Sequence, residues 1–240
     1  MAFQLNYQTY FQKNFYPSST KLLTLTNPKN ISLKRGAKIG GLLTHFQNIL
    51  HEFCPEIRNF LSRFLNPPSL NHLMLKIGLI SDTHGFLDPS IYQHFNTVDE
   101  IWHAGDLGQT RIINDLKTFK PLRAVWGNID GPEIRHILPE TERFRIEGIN
   151  VLMTHIGGYP GKYRPGIKQQ LIDYQAQLFI TGHSHILKIQ FDPSIKCLHM
   201  NPGAAGNQGW QKVRTLIRFT IDGSDMRDCE VIELGKKGIA

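Results

Sequence analysis

Seven residues of metal-ligating type lie between Asp82 and His185 in five short blocks, and each block follows an apolar run. The blocks are Ser81-Asp82-Thr83-His84, Gly105-Asp106, Gly127-Asn128, Thr154-His155 and Gly182-His183-Ser184-His185. A single block is weak evidence for a metal site, since Gly-Asp and Gly-Asn occur in many turns and a lone Asp can cap a helix. The ordered set of five is far more specific, and it predicts a metal site.

Strand-like apolar runs alternate with helical patterns through this region, and this alternation predicts an α/β fold. The predicted strands are 74–80, 100–103, 122–125, 143–146, 151–154 and 178–181, and the predicted helices are 89–95, 111–117 and 166–174. Four more strands are predicted after the last block, at 187–191, 196–199, 214–220 and 227–234, with a turn at Asp222-Gly223. Each ligand block then follows the end of a strand, where an open α/β sheet presents its functional groups.

These segments resemble the calcineurin-like metallophosphoesterases, and above all their small bacterial and archaeal branch, the YfcE-like phosphodiesterases. The matching segments are Ile80-Ser81-Asp82-Thr83-His84-Gly85, His103-Ala104-Gly105-Asp106, Trp126-Gly127-Asn128, Met153-Thr154-His155, Ile180-Thr181-Gly182-His183-Ser184-His185 and Asn201-Pro202-Gly203. The resemblance runs from about Met74 to the C-terminus. It implies a four-layer αββα sandwich, in which two packed β-sheets are flanked by helices.

The resemblance also implies a centre of two divalent ions. Its ligand groups would be Asp82, His84 and His185 for the first ion, and Asn128, His155 and His183 for the second. Asp106 would bridge the two ions, and Asp106, Asn128 and His155 would act in catalysis. Oxygen and nitrogen ligands without thiolate suit Mn²⁺, which we favour, or Fe²⁺ or Zn²⁺.

Two local expectations concern how these side chains reach the ions. Asp82 and His84 are two residues apart, so strand alternation would put both on one side. His183 and His185 have the same spacing but are assigned to different ions, which requires a turn that Gly182 would permit. The remaining histidines beyond Met74 are expected to be structural or to orient a ligand: His94, His103, His136 and His199.

The function that the resemblance implies is metal-dependent hydrolysis of a phosphate ester, and we favour a diester as the substrate. A hydroxide that bridges two ions would attack the phosphorus. Alternatives are a phosphomonoesterase or nucleotide pyrophosphatase, or a non-catalytic protein-binding scaffold like the metallophosphoesterase-fold subunit of retromer.

One departure from the family pattern concerns the His that follows Gly-Asn in many members. This chain has Ile129, which cannot donate a proton, so solvent or Asp130 would have to protonate the leaving group.

The segment 157–165, which follows His155, contains two cations and two aromatic residues and is predicted to be a loop. Two interpretations of it stay open. It could bind the phosphate and a ring of the substrate, or it could be a solvated turn.

Residues 1–73 lie outside the resemblance and hold eight of the 27 Lys and Arg residues but only two of the 20 acidic ones. Apolar residues at helical intervals over 42–65 predict one or two amphipathic helices. We predict that residues 1–73 are a partly disordered N-terminal extension upstream of a natural start at Met74, with an arm that binds a partner as the alternative. Residues 74–240 are predicted to form the metallophosphoesterase domain.

The extension carries +6 of the net charge of +7, so residues 74–240 carry only +1 and lack the basic surface of a nucleic-acid-binding protein. No apolar stretch is long enough for a membrane span. Cys54, Cys197 and Cys229 form no CxxC pair, which is typical of a reducing compartment. We therefore expect a cytoplasmic protein that acts on a small phosphate ester, with no stable nucleic-acid or membrane partner; homo-oligomerisation stays open.

Overall fold

A computed structural model of the chain describes residues 74–238. The predicted N-terminal extension and its amphipathic helices lie outside the described residues. The helices are α1 (Ser90–His94), α2 (Thr110–Phe119), α3 (Pro132–Arg135) and α4 (Ile167–Asp173). Their short lengths leave most of the described chain to strands and to the loops that carry the ligand blocks.

Ten of the strands form two five-stranded sheets. The first sheet contains, in spatial order, β12 (Asp225–Lys236), β11 (Val213–Asp222), β1 (Leu75–Ile80), β2 (Glu100–His103) and β3 (Leu122–Ala124). The second contains β4 (Thr141–Ile146), β5 (Ile149–Thr154), β8 (Leu178–Ile180), β10 (Cys197–Pro202) and β9 (Leu187–Asp192). A separate hairpin joins β6 (Gly158–Tyr159) to β7 (Lys162–Tyr163).

The two sheets pack face to face through the alternate residues of their strands. Ile77 and Leu79 of β1 join Trp102 in a core that also contains Val151 and Met153 of β5, because residues i and i+2 of a strand share a face. The Trp102 ring contacts Phe144 and Phe219 edge to face, with ring centroids 5.0 and 5.6 Å apart.

Helices cover the outer face of each sheet. Ile80 and Ile101 point away from the central core and pack against Phe95 and the apolar side of α2. Ile167 and Leu171 of α4 pack against Phe179 on the outer face of the second sheet. The layers are therefore helix, sheet, sheet and helix, and the predicted αββα sandwich is confirmed.

Parallel pairing brings the ligand blocks to one end of the strands. β1 pairs with β2 and β2 with β3 in parallel, and β5 pairs with β8 in the same way. The five blocks follow the carboxyl ends of β1, β2, β3, β5 and β8. The expectation that each block follows a strand end is confirmed.

Two short elements differ from the sequence prediction. The segment 157–165 was predicted to be a loop, but it contains the β6–β7 hairpin, whose Tyr163 hydroxyl donates to Asp192 Oδ2 at 2.8 Å. The four-residue helix α3 begins at Pro132, where a fixed φ suits the first helical position, and it was not predicted. Along the described residues, every helix is too short or too polar to cross a bilayer.

Candidate metal centre

The first predicted ligand group converges on one carboxylate oxygen. Asp82 Oδ1 lies 3.1 Å from His185 Nε2 and 3.9 Å from His84 Nε2. The two imidazole Nε2 atoms are 3.3 Å from each other. The ligand atoms of Asp82, His84 and His185 all lie within 4.8 Å of one another, which is a spacing that can hold one ion.

The second group is built on Asp106, whose Oδ2 lies 3.2 Å from His155 Nε2. Ligand atoms of Asp106, His155 and His183 again lie within 4.8 Å of one another. Asp106 Oδ2 is also 3.8 Å from His84 Nε2 of the first group. Asp106 therefore stands between the groups, and its role as the bridging ligand stays a prediction.

The turn that carries Asn128 lies directly against Asp106. The Ile129 N–H donates to Asp106 Oδ1 at 3.1 Å, and a Cβ on Gly127 would lie 2.8 Å from the Asp106 carboxyl carbon. Arg135 donates to the Asn128 carbonyl at 3.2 Å and to the Asp130 carbonyl at 2.7 Å. Asn128 is exposed at this turn, and its ligand role stays a prediction.

Five of the seven predicted ligands have a left-handed backbone. The φ values are 55° at Asp82, 49° at His84, 57° at Asp106, 65° at His183 and 56° at His185. This conformation costs a non-glycine residue roughly 1–2 kcal/mol, so the surrounding structure must hold it in place.

The first local expectation from spacing is wrong for this reason. The second is confirmed in that the last block turns, but the turn does not depend on the backbone freedom of Gly182. Asp82 and His84 follow the end of β1 at Ile80, so their side chains converge through left-handed turns and not through strand alternation. At the last block, His183 and His185 take the left-handed conformation themselves, while Gly182 does not.

Gly182 is required for close packing instead. A Cβ there would lie 2.8 Å from the Ala104 carbonyl and 2.9 Å from Asp82 Oδ2. The glycine thereby allows the next residue to approach the first block, and the His183 N–H donates to Asp82 Oδ2 at 3.1 Å.

Hydrogen bonds fix which nitrogen two of the histidines present to the centre. His155 Nδ1 lies 2.7 Å from the Ala104 carbonyl, and His185 Nδ1 lies 2.8 Å from Gln211 Oε1. An oxygen acceptor requires a protonated Nδ1, so the neutral rings direct the Nε2 lone pair toward the carboxylates. Gln211 is itself held because its amide donates to the carbonyls of Gly206 and Gln208.

Asn201 fixes the last block from the second sheet. Its side-chain amide donates to the Gly182 carbonyl at 2.8 Å and to Ser184 Oγ at 3.1 Å, while its Oδ1 accepts from the Gly203 N–H at 2.9 Å. The residue belongs to the Asn201-Pro202-Gly203 segment, for which the sequence suggested no particular role. Gln211 was missed entirely, because a Gln in a Gly-rich loop is an ordinary turn residue.

Two buried histidines lie behind the ligands and are neutral. Burial lowers the pKa of His103 to about 3. Its Nε2 lies 3.0 Å from Oγ1 of Thr83, the residue between the predicted ligands Asp82 and His84. Burial likewise lowers the pKa of His199 to about 3, and its Nε2 contacts Thr181 Oγ1 at 2.8 Å. Both contact residues next to the site and not the predicted ligands themselves, as expected for structural histidines.

The electrostatics of the cluster favour a bound cation. Burial alone would raise the pKa of Asp106, but the adjacent His155 imidazole and the Ile129 N–H bring it below its ordinary value. Asp82 Oδ1 and His155 Nε2 are buried and lack a hydrogen bond of good geometry. Two buried acceptors without donors are costly unless a cation occupies the space between them, so the residues present fit divalent ions.

Asp130, the alternative proton donor to solvent, is bound to the backbone of the site loops. It is buried, and its carboxylate accepts from the N–H groups of Gly127 at 2.8 Å, Gly108 at 2.7 Å and Leu107 at 3.2 Å. Both carboxylate oxygens are therefore bound to backbone amides, and the side chain shapes the turn. Asp130 thus joins the loops after β2 and β3.

The fold and the site define an α/β sandwich with two candidate metal-ligand groups at the carboxyl ends of parallel strands. Residues 75–224 match the calcineurin-like phosphoesterase superfamily domain. A protein described as a probable metallophosphoesterase from Methanothermobacter thermautotrophicus is 31% identical over 171 residues, covering 66% of this chain and 92% of that relative. This chain therefore belongs to the calcineurin-like phosphoesterase superfamily.

Solved structures agree on the fold. Vps29 from Chaetomium thermophilum superposes with a TM-score of 0.55 at 15% identity, covering 68% of this chain and 100% of that one. Vps29 from Entamoeba histolytica, solved in complex with Zn²⁺, superposes with a TM-score of 0.52 at 20% identity, covering 66% of this chain and 99% of that one. At such identities the likeness supports the αββα sandwich and nothing finer.

Proposed function

We propose that this protein is a two-metal phosphodiesterase, which hydrolyses a small phosphate diester in the cytoplasm with Mn²⁺ as the preferred ion. The observation that carries the proposal is the convergence of two carboxylates and three imidazole Nε2 atoms at 3.1–3.9 Å. Ligand atoms so close together can hold two ions that clamp one phosphate group.

The ions would act as Lewis acids and make water a stronger nucleophile near neutral pH. The chain's own residues supply the geometry. Asp106 is held by the Ile129 N–H and His155 by the Ala104 carbonyl, so neither side chain needs to reorganise when a phosphate binds. Fixed ligands of this kind are the main contribution that a protein makes to such a reaction.

The region around Asn128 supports a preference for esters with good leaving groups. The Ile129 side chain has no ionisable proton, and the Asp130 carboxylate accepts from three backbone amides. Protonation of the leaving oxygen is therefore left to solvent. A general acid is typically worth about 10²–10⁴ in rate, so turnover of esters with basic leaving groups should be slow.

A small substrate is also part of this proposal, with neither nucleic acid nor membrane as a partner. Residues 74–240 carry only +1 of the net charge, which offers little attraction to a polyanion. A purely protein-binding scaffold would give no reason to keep Asp82 Oδ1 and His155 Nε2 buried without hydrogen bonds. Of the alternative functions, hydrolysis of phosphate monoesters by the same centre therefore fits the site better than a scaffold does.

The test is hydrolysis of bis-p-nitrophenyl phosphate and p-nitrophenyl phosphate by the full-length chain with Mn²⁺ and with a chelator. We expect chelator-sensitive hydrolysis with higher kcat/KM on the diester. Asp106→Asn should abolish it, whereas Asp173→Asn, at an exposed site on α4, is the matched control. A preference for the monoester would favour the phosphomonoesterase, and no hydrolysis of either ester by the Mn²⁺-loaded chain would contradict the proposal.

A further inference from the structure

Large hydrophobic side chains are exposed at the loops that carry the metal-site residues. Seven such side chains are exposed among the described residues: Met74, Phe86, Ile129, Ile137, Ile172, Ile186 and Trp210. Four of them stand beside the site, and we call these four the apolar rim: Phe86, Ile129, Ile186 and Trp210. Exposed apolar groups gathered at one place on a protein usually mark a binding surface.

Two members of the rim directly follow predicted ligands. Ile129 follows Asn128 and Ile186 follows His185, so each Cα lies about 3.8 Å from that of a ligand. Both side chains are 46% exposed. The Ile129 backbone also donates to Asp106 Oδ1, which fixes this residue relative to the centre.

Phe86 and Trp210 complete the rim. Phe86 is two residues beyond His84, and its N–H donates to the Thr83 carbonyl at 2.9 Å. Trp210 is 70% exposed and lies between Gly209, which packs against the His185 ring, and Gln211, which binds His185 Nδ1. The Lys237 ammonium donates to the Gly209 carbonyl and so pins this loop.

The position of the rim determines what it can contact. The carboxylate of Asp82 and the ring of His155 are buried, whereas the rim side chains on the same loops are exposed, so a phosphate bound at the centre would direct its ester groups toward the rim. Ligand sites of this kind combine a few fixed polar groups with an apolar lining. An indole and a phenyl ring offer flat faces on which another planar ring can stack.

We infer that the apolar rim binds a planar aromatic ring carried by the substrate, so that the enzyme prefers diesters whose retained ester group is an aryl or nucleoside group. The inference rests on the proposed function and deepens it. Aryl and nucleobase rings share the stacking chemistry, and the substrates below separate them.

The test compares three diesters that share one leaving group, p-nitrophenolate, and differ in the retained group: methyl, phenyl or thymidine 5′-yl. With the full-length chain and Mn²⁺, kcat/KM for the phenyl and thymidinyl esters should exceed that for the methyl ester by at least about tenfold, which is typical of one stacked ring. Trp210→Ala and Ile186→Ala should reduce this ratio to about 2. Ile172→Ala is the matched control, because Ile172 is also 46% exposed but lies on α4.

A higher kcat/KM for the phenyl ester than for the thymidinyl ester would indicate that the rim binds simple aryl groups. A higher kcat/KM for the thymidinyl ester would indicate that it binds nucleosides. Equal kcat/KM for all three esters, or a ratio that survives both rim substitutions, would overturn the inference while leaving the phosphodiesterase intact. If no ester is hydrolysed, the proposed function fails separately. Calorimetric titration with phenylphosphonate and methylphosphonate then decides the matter, since equal affinities would overturn the role of the rim.

Discussion

The Nε2 atoms of His84 and His185 lie 3.3 Å apart, although 101 positions separate the two residues in the sequence. The rings meet edge to face, with an interplanar angle of 60°. His185 commits its Nδ1 to Gln211, so its Nε2 holds the lone pair when the ring is neutral. Two ring nitrogens this close need a proton or a cation between them, because their lone pairs repel. A divalent ion bound by Asp82 as well would meet this need.

Gln211→Ala should weaken binding of the ion held by His185, because the ring would lose the acceptor that fixes its orientation and tautomer. Loss of such a partner costs about 10- to 100-fold in metal affinity. Competition between the protein and a fluorescent chelator for Mn²⁺ measures the change. Gln208→Ala is the control, since only the Gln208 backbone carbonyl contacts Gln211. Equal Mn²⁺ affinity in wild type and Gln211→Ala would refute this role.

Gly182→Ala should destabilise both the fold and the site, because the new methyl group would lie within 3 Å of the Ala104 carbonyl and Asp82 Oδ2. Overpacking of this kind costs typically about 1–3 kcal/mol. Urea unfolding measures the loss, and metal content measures the effect on the site. Gly131→Ala is a suitable control, since the atoms nearest to its Cβ would be those of the exposed Glu133 carboxylate, which can move away. A Gly182→Ala protein as stable as Gly131→Ala would contradict the packing role.

Asp130→Asn tests whether this carboxylate shapes the turn or donates a proton. The NH₂ group of the Asn side chain would face backbone N–H groups of the loops after β2 and β3, where the carboxylate now accepts hydrogen bonds. The lost hydrogen bonds should lower the free energy of unfolding by about 1–3 kcal/mol. We expect lower stability in urea, with a pH–rate profile of the same shape as in the wild type. Loss of the alkaline limb of that profile would instead indicate a general acid.

A half-buried cluster of one Arg and two Glu residues gives a pH-dependent prediction. Arg123 lies 2.6 Å from Glu100 and 3.3 Å from Glu142, and burial raises the pKa of both carboxyls despite that guanidinium. A raised folded-state pKa means that the folded chain binds the proton more tightly, so stability is lost as pH rises from about 4.5 through that pKa.

Replacing Glu142 with Gln removes the part of this loss that comes from Glu142. The variant should be more stable than the wild type at pH 7.5, and the difference should shrink toward pH 4. Urea midpoints at the two pH values give the comparison. A variant that is less stable at pH 7.5 would show that the ion pair with Arg123 outweighs the cost of burial.

Much of the fold could be predicted because the strands are short continuous apolar runs, as is typical of strands buried on both faces. β2 was predicted at its observed bounds, and β1, β5 and β8 within two residues, since their side chains alternate between two buried layers. The β6–β7 hairpin could not be predicted, because two-residue strands have no period. α3 was missed for the same reason, since four residues complete only one turn.

The candidate site was predictable in its side chains but not in its backbone. His, Asp and Asn in ordered blocks are visible in the sequence, whereas the left-handed φ of Asp82 or Asp106 arises from the packing of loops against each other. Gln211 was invisible because its contact with His185 spans 26 residues and joins two loops. The apolar rim was hidden as well, since an isolated Ile or Trp in a sequence does not reveal its exposure.

The metal content of the full-length chain is the most direct test of the proposed two-metal centre. After loading with Mn²⁺ and removal of free ions, mass spectrometry of the metals should find two ions per chain in the wild type. Asp106→Ala should retain fewer than one, because in the proposed centre this carboxylate is a ligand of both ions. Wild-type protein that binds no divalent ion, or an Asp106→Ala protein that keeps two, would contradict the proposed centre.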